Sequence, residues 1–330
     1  MRPRCRRKGR SEMATPEVRI VEVLLRDGLQ TMLHEQDWHV PTTDEKFYIA
    51  EQVAQTGIPE QEVTGFVHPK VIPMLADADE LVRRLPQHEN FVNRALVPNV
   101  RGAERAVEAG CTKLSALIVN SETYNRKNAN MSIAENIEQV RLIAEIAEQH
   151  GLEIDASVGM CFLCPYEGPI SESSVLDLVD QFTSFGIHDI AIADSIGMAN
   201  PRLVGGRVAA IMKRWPDLVL GVHLHERTGM ALANVVAAYE NGATSFESCI
   251  GGYGGGIAMP VSVKGMGNVP TEDVVHLFRE MGVETGVDLD KVRALSDEVA
   301  QIIGIPSRAR VAQYGTYEEF HELSKASLPH

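Results

Sequence analysis

The feature that most restricts the fold is a repeat of pattern rather than of residues. Eight short β-branched or apolar runs recur along the chain, each leading to a helical stretch with 3.6-residue apolar spacing or to a loop before one. The runs are Val18–Leu25, Glu60–Thr64, Phe91–Val97, Lys113–Val119, Glu153–Met160, Asp189–Asp194, Leu218–His225 and Thr244–Ile250. Helices are predicted over Thr42–Gly57, towards Leu85, over Val100–Gly110, Ser132–Gly151, Ser174–Gly186, Pro201–Trp215 and Met230–Gly242. Thr43 is the expected cap of the first and Gly57 its stop. Strands with few polar positions belong to a parallel sheet covered by helices. Eight such units in series imply an α/β fold, a (β/α)8 TIM barrel reaching about Gly282, with a helical C-terminal extension over Leu289–Gly304. The competing arrangement is a doubly wound open sheet, but the glycine-rich turn that it places after its first strand is missing.

No linker divides the series. Residues 1–15 are expected to form a basic, disordered arm or to precede a later start at Met13; residues 16–304 form the barrel with its C-terminal helices, and residues 305–330 a loosely packed polar tail. "MRPRCRRKGR" lacks the apolar stretch that follows the charges of a signal peptide. No run of about 18 apolar residues predicts a membrane span. Acidic residues outnumber basic ones 45 to 31, for a net charge of −14, so the basic face that nucleic acid requires is not expected. Five scattered cysteines fit a reduced, cytoplasmic chain.

In such a barrel the reactive groups stand at the C-terminal ends of the strands. Arg26 and Asp27 stand there after the first strand, Glu62 on the second, Asp194 at the end of the sixth, and His223, His225 and Glu226 on the seventh. Residues two apart on a strand share a face, so the two imidazoles of His223-Leu224-His225 can meet one metal ion. Asp27 or Asn268 can complete a partly open N/O set suited to Mg²⁺ or Mn²⁺. Arg26 either pairs at the surface or stabilises an enolate. Glu62 can orient Arg26 or relay a proton, and Asp194 either does similar work or caps the helix after "SIGMANP". Cys161 and Cys164 read as packing residues, and His34, His39 and His68 as ordinary loop histidines. "GGYGGG", Gly251–Gly256, lacks the Lys-Ser/Thr of a phosphate loop and is read as a mobile loop over the barrel mouth.

Together, "LLRDGLQ", "EVTGFVHPKVIPMLAD", "VPNVRGAERAVEAG", "NRKNANMSIAENIE", "CPYEG", "DSIG", "HLHERTGMALANVVAAYENGATSFES" and "GNVPTEDVVHLFREMGVETGVDLDKV" resemble the 3-hydroxy-3-methylglutaryl-CoA lyase family over about Val18 to Ile303. The resemblance implies metal ligation by Asp27, His223, His225 and Asn268. It also implies a catalytic Arg26 and active-site acids at Glu62 and Asp194. The implied reaction is retro-aldol (retro-Claisen) cleavage of a 3-hydroxyacyl-CoA to acetyl-CoA and a keto acid. The CoA tail would cross the rim near Asn125, Arg126, Lys127 and Asn128, and the family suggests a homodimer.

The sequence departs from the family where a cysteine thought to move a proton follows G-x-G-G, because Gly256 stands there. The path on to Asn268 is about three residues longer than the family's, and Glu226 replaces the usual aspartate. The proton would then pass through Glu62, Asp194, Tyr253 or a water at the metal, with a substrate such as a citramalyl-CoA. Condensing enzymes and 4-hydroxy-2-oxoacid aldolases of the same superfamily, or a non-catalytic barrel, are the rival readings.

Overall fold

Strands that are apolar on both sides need a partner layer on each, and a closed barrel ringed by helices supplies both. A computed structural model describes residues 17–31, 38–256 and 267–326. Eight parallel strands close the barrel: β1 (Arg19–Glu22), β2 (Glu60–Gly65), β3 (Val92–Leu96), β4 (Lys113–Val119), β5 (Glu153–Gly159), β6 (Asp189–Asp194), β7 (Val219–Glu226) and β8 (Ser245–Ser248). Closure comes from β8 pairing with both β7 and β1.

Helices α1 (Thr43–Val53), α2 (Ala78–Arg84), α3 (Val100–Ala109), α4 (Glu122–Ala129), α5 (Ile133–His150), α6 (Glu172–Ser184), α7 (Pro201–Arg214), α8 (Ala231–Glu240) and α9 (Thr271–Met281) surround it, followed by α10 (Leu289–Ile303), α11 (Arg310–Tyr314) and α12 (Tyr317–Ala326). No described helix is long and apolar enough to cross a membrane. Ser132 and Glu135 form a reciprocal capping box at α5, and Gly151 ends that helix in the left-handed conformation. At α1 the cap is Thr42, whose side chain accepts from Glu45 N, rather than Thr43.

The first apolar run is a strand only as far as Glu22. Leu24–Gly28 then makes a single wide turn, with Gly28 N donating to Val23 O at 3.1 Å, so the chain bends at the barrel rim where Arg26 and Asp27 lie. Wide turns of this kind recur at functional sites. A β-carbon at Gly28 would stand 3.0 Å from both Cys249 Sγ and Leu24 Cδ1, which explains the small residue in Arg-Asp-Gly.

The lower barrel interior is charged. Lys113 pairs with Glu60 at 2.8 Å, Asp189 at 3.0 Å and Asp155 at 3.2 Å, while Arg19 grips Asp189 at 2.7 Å. These residues open their strands or lie near the openings, so the network closes the end opposite the rim.

The segment after Gly304 is not the loose tail expected from its polarity. Ser307, Ala309 and Val311 are buried, Arg308 N donates to Gly251 O at 2.9 Å, and the Asp273 carboxylate accepts from Arg310 N and Val311 N at 2.9 and 2.8 Å. Beyond it, α12 leaves Tyr317, Phe320 and Leu323 exposed while Glu319 accepts from Arg293 of α10 at 2.8 Å.

Candidate active site

β7 places His223 and His225 on the inner face and buries Leu224 against the helices. Gly267–Asn268 pairs antiparallel with Glu226–His225, which sets Asn268 beside His225 although 43 positions separate them. The wide turn after β1 brings Asp27 from the other side.

Each imidazole is oriented through Nδ1. His223 Nδ1 donates to Glu247 Oε2 at 2.8 Å, and His225 Nδ1 donates to Ser195 O at 2.9 Å. Both acceptors lack a proton of their own, so both Nδ1 atoms carry hydrogen and the neutral rings present Nε2 lone pairs. Those two Nε2 atoms lie 3.1 Å apart, and His225 Nε2 lies 3.3 Å from Asp27 Oδ2. Asn268 Nδ2 donates to Asp27 Oδ2 at 2.7 Å and to Tyr253 O at 2.8 Å, while its buried Oδ1 has no hydrogen-bond partner among the described residues.

Convergence of electron pairs with too few hydrogens between them calls for a cation. Burial opposes ionisation of Asp27, yet Arg26, His225 and His223 hold its carboxyl well below the ordinary range. Burial likewise opposes charge on His225, but the Asp27 carboxylate raises its pKa. A proton there fills part of the gap. Two imidazole nitrogens, a carboxylate and an orphaned amide oxygen fit a divalent ion, and Asp27, His223 and His225 are the described cluster able to hold one.

Arg26 stands over this cluster. Its Nη1 donates to Asp27 Oδ1 at 2.6 Å and its Nε to Glu62 Oε2, in a short contact. Glu62 is buried and also faces Arg94 Nε at 3.6 Å. Arg94, buried on β3, reaches Glu247 Oε1 in another short contact. Seven side chains therefore close a ring below the rim, running His223, Glu247, Arg94, Glu62, Arg26, Asp27, His225 and back to His223.

The glycine loop bears down on the ring. Gly254 has φ +108°, and a β-carbon there would lie 2.5 Å from Asn268 Nδ2 and 2.7 Å from Asp27 O, so only glycine allows this approach. Gln30 Nε2 ties the loop to the wide turn through Gly255 O at 2.9 Å. Residues 257–266, which carry the extra loop length, and His34 lie outside the described residues.

A cavity of about 270 Å³ opens above the ring. Arg26, Asp27, His223, His225 and Gly256 line its polar end, while Leu96, Leu117, Val119 and Met131 form an apolar wall. His68, expected to be an ordinary loop residue, lines it too, as does Asn128.

Other expectations are corrected. Tyr253 is fully buried and turns its hydroxyl away to donate to Ile305 O at 2.7 Å, so it anchors the loop instead of carrying a proton. Asp194 falls between the pocket-facing Ala193 and Ser195, and its Oδ2 accepts from Ala199 N at 2.8 Å, closing the turn before α7. Asn125 is wholly buried, with Oδ1 accepting from Val119 N and Asn136 Nδ2 and Nδ2 donating to Met131 O, so its side chain supports α4 from within instead of facing the rim. Arg126 pairs with Glu122 in the open, and Lys127 Nζ lies 5.2 Å from the centre of the Tyr166 ring. Glu247, Arg94 and Gln30 went unforeseen. Glu247 was visible only as one acid within "TSFESCI", and its value depends on the β7–β8 register that places it opposite His223.

Residues 17–299 match the HMGL-like family model. The chain belongs to the hydroxymethylglutaryl-CoA lyase family. It is 35% identical to the hydroxymethylglutaryl-CoA lyase YngG of Bacillus subtilis, over 90% of this chain and 97% of that one. It is 32% identical to the mitochondrial hydroxymethylglutaryl-CoA lyase of Macaca fascicularis, over 90% of this chain and 89% of that one. A solved HMG-CoA lyase from Acinetobacter baumannii, in complex with coenzyme A and 3-methylmalate, superposes with a TM-score of 0.84 and 36% identity, covering 91% of this chain and 95% of its own. Membership makes this chain a carbon–carbon lyase.

Proposed function

We propose that the chain is a divalent-metal-dependent lyase that cleaves a 3-hydroxyacyl-CoA to acetyl-CoA and a keto acid. The observation that carries this reading is that Arg26, Asp27, His223 and His225 line one pocket, with Arg26 on one oxygen of Asp27 and Asn268 on the other. Mg²⁺ or Mn²⁺ held by Asp27, His223, His225 and Asn268 would supply Lewis acidity towards the substrate's hydroxyl and a neighbouring oxygen.

The reaction needs a negative charge to form on the thioester oxygen as the C2–C3 bond breaks. Arg26 is fixed for that charge, because Nε and Nη1 are engaged by Glu62 and Asp27 and, among the described residues, Nη2 keeps no hydrogen-bond partner. A positive group held rigidly before charge develops stabilises the enolate without having to reorganise. A base takes the C3 hydroxyl proton, the electrons of the C2–C3 bond pass to the thioester, and a proton returned to C2 completes acetyl-CoA, so that no net proton is lost. Gly256 offers no acid for that last step. This difference favours a substrate other than hydroxymethylglutaryl-CoA, such as a citramalyl-CoA. Asn128 on the pocket wall, with the exposed Arg126 and Lys127 beside it, offers the contacts for the CoA tail.

A panel of 3-hydroxyacyl-CoA thioesters with Mn²⁺ or Mg²⁺, read by acetyl-CoA and keto-acid release, tests the reading. Pyruvate release from a non-CoA substrate would move it to the aldolases. Silence across the panel from metal-loaded protein would overturn it. We infer a reduced cytoplasmic setting and a homodimer on the same footing, and sedimentation decides the latter.

A further inference from the structure

The two ring imidazoles are held differently. His225 leans on a neutral backbone carbonyl, that of Ser195, whereas His223 leans on a buried carboxylate. That carboxylate cannot swing away. Its far oxygen is clamped by Arg94, and its backbone sits directly across the β7–β8 pair from His223. Arg94 is itself fixed by Asp155 at 3.3 Å and by Glu60 and Glu62 at 3.6 Å each. Glu247 and Arg94 are both only 3% exposed, so water does not compete for these contacts.

We propose that Glu247 is the positioning residue for His223, holding its ring in the Nδ1–H form so that Nε2 meets the metal. This rests on the metal site proposed above. A carboxylate behind a ligating imidazole fixes the tautomer and ring plane and raises the basicity of the ligating nitrogen. Without it the ring is free to invert or to change tautomer, and Nε2 would no longer converge with His225 Nε2 and Asp27.

The test compares wild type with Glu247→Gln, which keeps shape and an acceptor oxygen but loses charge, and with Glu247→Leu, which loses the acceptor. Mn²⁺ binding is followed by electron paramagnetic resonance without substrate, and the His223 tautomer by ¹⁵N resonance in metal-free protein. The expected order of affinity is wild type, Gln, Leu, with Kd raised roughly tenfold and a hundredfold. The Nδ1–H signal of His223 persists in Gln and is lost in Leu. A folded Leu variant with Kd within twofold of wild type and an unchanged tautomer overturns the proposal. So does a fall in unfolding midpoint alone, which is what a merely structural role would give. Should the Leu variant not fold, the wild-type ¹⁵N spectrum still decides, because a His223 with its hydrogen on Nε2 overturns the proposal. If wild type binds no Mn²⁺, the metal reading fails, while the ¹⁵N comparison still decides whether Glu247 sets the ring.

Discussion

Glu22 offers a sharp test of how the base of the active-site loop is held. Its carboxyl is 1% exposed, accepts from Leu24 N at 2.9 Å and from Ile250 N at 3.0 Å, and lies 2.7 Å from Thr271 Oγ1. Burial pushes its pKa to about 8 from the ordinary 4.5, and the neighbouring Glu272 adds to the rise. Between those two values the folded protein holds a proton that the unfolded chain has released. Stability is therefore full below the unfolded pKa and falls as pH rises towards 8. At about 1.4 kcal/mol per unit, the loss from this one group is of the order of 5 kcal/mol. Glu22→Gln stays neutral throughout. Its amide nitrogen replaces the acid hydroxyl as donor to Thr271 Oγ1, which can pass its own hydrogen to Ser248 Oγ 2.8 Å away. Denaturant unfolding of both proteins at each unit from pH 5 to 9 should show a variant that gains on wild type as pH rises, by several kcal/mol at the top. Parallel curves across that range would refute the reasoning, because they would mean that Glu22 is already ionised in the fold.

Asp27→Ala should abolish Mn²⁺ binding and lower lyase turnover at least a thousandfold, since it removes a ligand and one of the two anchors of Arg26; metal content and a single-substrate assay decide it. Gly254→Ala forces a β-carbon to within 2.5 Å of Asn268 Nδ2 at φ +108° and should cost about 1–3 kcal/mol of local strain. Activity should fall more than tenfold while the unfolding midpoint drops by only a few degrees, and a far larger loss of stability would contradict a loop-confined effect. If Gly256 is what excludes hydroxymethylglutaryl-CoA, Gly256→Cys should raise cleavage of that thioester roughly tenfold or more at unchanged metal affinity; an unaltered rate would place selectivity elsewhere in the pocket.

The barrel was legible because its signal is local. β4 and β6 occupy the very residues that the apolar runs marked, Lys113–Val119 and Asp189–Asp194. β1 was overextended because Val23, Leu24 and Leu25 are as buried in the wide turn as they would be in a strand, so composition does not distinguish the two. That His223 and His225 share the inner face of β7 was readable from their two-residue spacing taken with their place at a strand end. Glu247 and Arg94 were not, because what they do depends on strand register and on reach across the barrel. Tyr253 and Asp194 were misjudged for a related reason. Each lies next in sequence to the reactive surface, yet the partner that claims it, Ile305 O or Ala199 N, fixes its direction away from the pocket.

The clasp between the chain end and the glycine loop bears on how the protein is made. Residues 305–311 fasten the root of the loop through Gly251 O, the Tyr253 hydroxyl and the carboxylates of Glu272 and Asp273. Every strand of the barrel has been synthesised by Ser248, well before those residues exist. In order of synthesis, all eight strands and both histidines therefore come before the residues that tie the loop down.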